Sequence, residues 1–102
     1  MHFVLTYDLS LPAGDSRQII EKEIETVLNR YRNVHQLSTF YVVHVANIDE
    51  WETIRRDLSY IATHRTNNLS FIMSPPMTGG RYNGILPGEA WRDINGITDM
   101  DV

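Results

Sequence analysis

The sequence predicts an α+β fold, and three observations support that class. Two stretches repeat apolar residues at helical spacing, and other stretches alternate or run apolar as β-strands do. Clusters of Gly, Pro, Ser and Asn separate these stretches. The chain has 102 residues, 42% hydrophobic and 22% charged, which is typical of a globular domain with one modest core.

The first predicted strand covers residues 2–9. Phe3, Leu5 and Tyr7 alternate with residues of the opposite face, and β-branched and aromatic types dominate. The breaker cluster at residues 10–14 then ends the strand just after Asp8.

Two amphipathic helices are predicted from their apolar stripes. The first helix has Asp15 as its expected N-cap, and the second begins after Asn47, with Glu50 placed to complete a capping box. The stripe of the first is Ile20, Ile24, Val27, Leu28 and Tyr31; that of the second is Ile48, Trp51, Ile54, Leu58, Ile61 and Ala62.

The remaining strands complete the pattern. The apolar run at residues 34–46 is too long for one typical strand, so we expect one long bent strand or two strands joined by a bulge near residues 38–40. Residues 69–73 form another strand, which Pro75-Pro76 ends. The order predicts a ferredoxin-like β-α-β-β-α-β sandwich with an antiparallel sheet over residues 1–76.

Residues 77–102 form a C-terminal extension with several glycine turns. The extension is more apolar than a disordered tail usually is, since it contains Tyr82, Leu86, Trp91 and Ile94. Three alternatives stay open: a loop packed on its own sheet, an arm that packs on a dimer partner, and disorder.

Composition excludes several function classes. The chain contains no cysteine, so thiolate metal sites, cysteine nucleophiles and disulfides are excluded. No apolar run is long enough to cross a membrane, and the start lacks the basic region of a signal peptide, so we expect a cytoplasmic protein. The net charge of −4 favours at most weak nucleic-acid binding.

Asp8 is the main chemical candidate. A carboxylate at a strand end can bind Mg²⁺ if a second copy supplies its equivalent, although Asp also commonly caps the following turn. The four histidines, at positions 2, 35, 44 and 64, show no metal-binding spacing, and we interpret them as surface or hydrogen-bonded residues. The glycine segments match no phosphate-binding motif and are expected to be turns.

Tyr7-Asp8 at the end of the first strand and Gln36-x-Ser38-x-Phe40 in the next run resemble a known family. They are similar to the small CRISPR-associated spacer-acquisition nucleases and their relative, virulence-associated protein D. The resemblance covers about residues 2–74. It implies a ferredoxin-like homodimer in which the Asp8 carboxylates of two subunits bind Mg²⁺ and cleave RNA or DNA.

The chain departs from this family at two places. The family's first helix is often rich in arginine, whereas residues 15–32 here hold four basic and four acidic residues. The family's last strand often begins with an acidic residue, where this chain has Asn67-Asn68. Two alternatives to a nuclease therefore stay open: a non-catalytic dimeric module with a protein partner, as in toxin–antitoxin or mobile-element accessory proteins, and a dimer that binds a small molecule.

Overall fold

The computed structural model describes residues 1–101, apart from the side chain of Gln36. The α+β class and the predicted element order are confirmed, and a third helix is added. In chain order the elements are β1 His2–Leu9, α1 Asp15–Leu28, β2 Asn33–Leu37, β3 Phe40–His44, α2 Ile48–Tyr60, a π-helical turn Ile61–Arg65, β4 Leu69–Met73 and α3 Gly88–Asp99.

The four strands form one antiparallel sheet in the order β2-β3-β1-β4, an arrangement compatible with a ferredoxin-like fold. The apolar run at residues 34–46 is two strands, and Ser38 and Thr39 form the turn between them. The connection is thus a turn rather than the expected bulge, and the irregular register lies earlier, between Val34 and Leu37. Thr6 lies opposite Phe40 on one side and Ile72 on the other, so β1 is central.

One face of the sheet packs against α1 and α2, and this contact forms the main core. The odd-numbered residues of β1 point into it, as the alternation predicts. Both helical stripes supply buried residues, since Ile24, Leu28, Ile54 and Leu58 are almost fully buried. The main core is Phe3, Leu5, Tyr7, Leu9, Ile20, Ile24, Val27, Leu28, Tyr41, Val43, Val45, Ile54, Leu58, Ile61 and Leu69.

The helix starts show one correct cap prediction and one error. The Asn47 side chain accepts a hydrogen bond from the Glu50 amide at 3.0 Å, which confirms the cap of α2. Asp15 is the first residue of α1 rather than its cap. Gly14 takes the cap position without a side-chain bond, at a φ of 148° that favours glycine.

None of the helices formed by residues 1–101 is long and apolar enough to cross a membrane.

The C-terminal extension packs on the opposite face of the sheet of its own chain, but it is not only a loop. Residues 88–99 form α3, whose Ile94 and Ile97 contact Val34 and Val42. We call these four residues the second core; partly buried Phe40, Tyr82 and Leu86 pack against it. α3 lies over β2 and β3, and it leaves part of this face uncovered.

Candidate functional site

Asp8 lies on the uncovered part of the sheet face. Direct partners in an antiparallel pair share a face, so the pairs Thr6–Ile72 and Asp8–Ser70 stand side by side. All four side chains are exposed, and we call them the open strip. The open strip is on the same side of the sheet as α3. Val4 lies two residues before Thr6 in β1 and so shares its face, and Val4 pairs with Val42 of the second core.

The Asp8 carboxylate does not cap the following turn. Its hydrogen bond comes from the Ser10 hydroxyl at 3.0 Å. The backbone amides that a cap would bind are used elsewhere, since those of Ser10 and Leu11 donate to the carbonyls of Asn68 and Leu9. The carboxylate is therefore presented to solvent on the open strip, where an external group can reach it.

Asp8 is not one of three grouped metal-ligating side chains in the described part of the chain. Within residues 1–101, no three His, Asp or Glu side chains are grouped so that they could hold a metal ion. Any ion bound by Asp8 would take further ligands from water and from a second copy. Of the family-like signature, Ser38 lies in the β2–β3 turn and Phe40 begins β3, while the side chain of Gln36 lies outside the described residues.

Apolar side chains border the open strip. Phe40 is the direct neighbour of Thr6 across the β1–β3 pair. It lines a small cavity of 230 Å³ together with Leu37 and Ile85, both of them exposed. We call Leu37, Phe40 and Ile85 the apolar rim. The open strip and the rim together form a surface whose one charged residue is Asp8.

The basic side chains of the helices are largely engaged with acids. Arg55 pairs with Glu52 at 2.9 Å on α2. The pair of Arg65 and Glu23 at 2.7 Å crosses a groove of 720 Å³ between α1 and the end of α2. The pairs Arg17–Glu21, Arg30–Asp57 and Arg81–Asp99 neutralise further cations. Weak nucleic-acid binding stays a prediction from the net charge.

Two of the four histidines are local surface residues. His35 stacks on Tyr41 with ring centres 3.9 Å apart, and its Nε2 donates to the Ser38 carbonyl. His64 stacks on Tyr60. These two agree with the interpretation as surface or hydrogen-bonded histidines.

The other two histidines converge with Asp101, a grouping that the sequence analysis missed. His2 Nδ1 donates to Asp101 Oδ2 at 2.5 Å, and its Nε2 lies 2.8 Å from the Tyr82 hydroxyl. His44 Nε2 is 3.8 Å from Asp101 Oδ1. The Met1 ammonium is 2.7 Å from the same oxygen. We call these five residues the Asp101 cluster.

Glycine turns help to build the Asp101 cluster. Gly79 and Gly80 have φ angles of 64° and 94°, in the region that favours glycine. Their turn places the Gly79 amide so that it donates to Asp101 Oδ2 at 3.1 Å. The expectation of a turn therefore holds at this glycine pair, but it is wrong at Gly88, which begins α3.

The electrostatics of the cluster favour an ionised Asp101. Burial of the carboxylate raises its pKa, but hydrogen bonds from the Met1 ammonium, His2 and the Gly79 amide outweigh burial and lower the pKa below the usual value. The pKa of Tyr82 is raised, first by burial and then by the negative charge of Asp101. Tyr82 is therefore a neutral hydrogen-bonding group at neutral pH.

Comparison with known proteins finds no match for this chain among family models, curated proteins or solved structures.

Proposed function

We propose that this chain is a self-associating interaction module in which two copies meet through the open strip and the apolar rim. The observation that carries the proposal is the exposure of large apolar side chains on one sheet face. Ile72 is 71% exposed in the open strip, and Ile85 is 99% exposed in the rim. Large apolar side chains exposed on the same surface are typical of a protein interface, whereas singly scattered ones are ordinary.

A second copy of the chain is the occupant that fits this surface best. The open strip and rim contain no Lys or Arg, so they offer nothing to the phosphates of a nucleic acid. A flat sheet face can pack against an identical face at about 10 Å separation, and a twofold axis makes such a contact self-complementary. Face-to-face packing would cover Ile72 of both copies at once.

Sedimentation of the wild-type chain and two matched variants tests this proposal. Ile72→Asp places a charge on the open strip, whereas Ile19→Asp does so on α1, which lies on the other side of the sheet and where Ile19 is 56% exposed. We expect twice the monomer mass for the wild type and for Ile19→Asp, and the monomer mass for Ile72→Asp. A monomeric wild type at concentrations up to tens of micromolar would refute self-association.

Metal-dependent phosphodiester cleavage is a second candidate, and the exposed Asp8 carboxylate favours it. In a twofold contact through the open strip, the two Asp8 side chains would approach each other. Mg²⁺ is commonly held by one or two carboxylates and several waters, and it can activate a bound water for attack. This is the function implied by the resemblance to the CRISPR-associated nucleases.

Cleavage assays with Asp8→Asn test the second candidate. Single-stranded RNA and duplex DNA are incubated with Mg²⁺ or Mn²⁺ and with wild type, Asp8→Asn or the control Asp15→Asn, which removes another exposed carboxylate. A nuclease that uses Asp8 loses activity in Asp8→Asn and retains it in Asp15→Asn. Activity that survives in Asp8→Asn eliminates this mechanism, and an inactive wild type leaves the module as the function.

A further inference from the structure

The end of the chain is held to the sheet by few apolar contacts and one buried charge. Residues 81–101, which we call the C-terminal latch, include Tyr82, α3 and Asp101. Their apolar attachment is the second core, with two residues from α3 and two from the sheet, against which Tyr82 and Leu86 also pack. Ala90 and Thr98 of α3 are buried as well. The other attachment is the Asp101 cluster, at the end of the latch.

The Asp101 carboxylate joins the latch to distant parts of the fold. Its side chain is 0% exposed, and that of His2 is 1% exposed. The charged and titratable groups facing it are the Met1 ammonium and His2 from the start of β1, His44 from β3, and Tyr82 from the latch. A buried carboxylate is tolerated only while such partners compensate its lost hydration.

The connection to the latch has the features of a hinge. Residues 78–87 contain no helix or strand, and Gly79 and Gly80 both have positive φ angles. Just before them, Met77 exchanges two backbone hydrogen bonds with His2, at 2.7 and 2.8 Å, which fixes the chain to β1. Movement at the glycine pair would therefore leave the sheet and its main core unchanged.

We propose that the C-terminal latch undocks from the sheet as a unit, and that the buried negative charge of Asp101 holds it closed. Undocking uncovers Val34 and Val42 and extends the uncovered sheet face from β1 and β4 to β2 and β3. Because the latch itself carries Ile85 of the apolar rim, undocking exchanges that residue for Val34 and Val42 on the surface for self-association; this consequence rests on the proposed function, whereas the undocking itself does not.

The pH dependence of the latch has a defined sign. Because the pKa of Asp101 is lowered in the folded state, its charge stabilises docking fully above the ordinary pKa of an aspartate. That contribution is lost as the pH falls through the lowered pKa. The latch should therefore open in acid before the main core unfolds, because the main core is built from apolar side chains.

Hydrogen exchange of the full chain tests the latch, with Asp101→Asn and Asp99→Asn as a matched pair. Asp99 is the last residue of α3, two positions before Asp101, but it is 57% exposed and pairs with Arg81 at the surface. In Asp101→Asn we expect amide exchange in residues 88–99 to accelerate at least about tenfold, with protection retained in β1 and β3. Asp99→Asn should exchange as the wild type does.

The outcomes separate the latch from the proposed function. Unchanged exchange in Asp101→Asn, or an equal loss of protection in β1 and α3, would overturn the latch. If Asp101→Asn does not fold, wild-type exchange from pH 6 to pH 3, corrected for intrinsic rates, provides the same test: α3 must lose protection before β1. Exchange measured on dilute, monomeric protein is independent of self-association, whose failure would appear only in sedimentation.

Discussion

The two faces of the sheet are covered very unequally. On one face, α1, α2 and the sheet bury fifteen of the described side chains in one continuous core. On the other face, the apolar cluster between α3 and the sheet has four buried residues. Ala90 and Thr98 of α3 are buried as well, and Thr6, Asp8, Ser70 and Ile72 remain uncovered. The first contact is large enough to define a small domain, whereas the second attaches a segment to a domain that already exists.

The two contacts also depend on different physical forces. The main core gains its free energy from removing apolar surface from water, a contribution that is nearly independent of pH. The second contact combines a small apolar cluster with a buried ion, which stabilises docking only while its partners remain in place. The main core therefore determines the fold, and the second contact can be lost without losing the fold.

The largest expected effect comes from removing a side chain of the main core. Leu58 lies in the last turn of α2 and is almost fully buried. Leu58→Ala should lower the free energy of unfolding by about 2–5 kcal/mol, because it removes apolar contacts and leaves a cavity. Chemical denaturation measures this change, with Arg56→Ala on the exposed face of α2 as the control. A loss below about 1 kcal/mol would contradict the assignment of Leu58 to the core.

A similar truncation in the second core should act locally. Ile97 is fully buried between α3 and the sheet. Ile97→Ala should weaken docking of the latch by about 2 kcal/mol, which corresponds to roughly thirtyfold faster amide exchange in residues 88–99. Protection in β1 should stay unchanged. Equal losses of protection in β1 and α3 would show that both faces of the sheet unfold together. The second contact would then not be separable from the main core.

The part of the fold that the sequence predicts is the part built on the main core. The stripes of α1 and α2 are recognisable because their central residues are buried in the main core, although Ile48 at the start of α2 is 49% exposed. α3 has a comparable stripe in Ala90, Ile94 and Ile97, but Asn95-Gly96 interrupts it and resembles a turn. Gly96 is helical all the same, and a Cβ built on it would lie 3.3 Å from Nη2 of Arg32.

The two candidate sites, Asp8 and the Asp101 cluster, also differ in how far the sequence predicts them. The place of Asp8 at the exposed end of β1 follows from strand alternation and a nearby breaker cluster, both of which are local signals. The Asp101 cluster brings together His2 and Asp101, which are 99 residues apart. Spacing rules for histidine describe neighbours on one element, so they carry no information about a contact that tertiary packing creates.

The smallest expected effect comes from a substitution that stabilises α3 and so the contact between α3 and the sheet. Glycine inside a helix costs about 0.5–1 kcal/mol relative to alanine, so Gly96→Ala should stabilise α3 by up to that amount. The new methyl group would meet only the end of the exposed Arg32 side chain, which can move aside. Exchange in residues 88–99 should slow by about two- to fivefold, with β1 unchanged.

Gly88→Ala is the matched control for this change. Gly88 begins α3, and a Cβ there would have no neighbour within 4 Å. Because it lies at the helix end, its replacement should slow exchange less than Gly96→Ala does. Faster exchange in Gly96→Ala would instead show that the contact between α3 and Arg32 is too close to admit a methyl group. The latch would then be limited by packing as well as by the charge of Asp101.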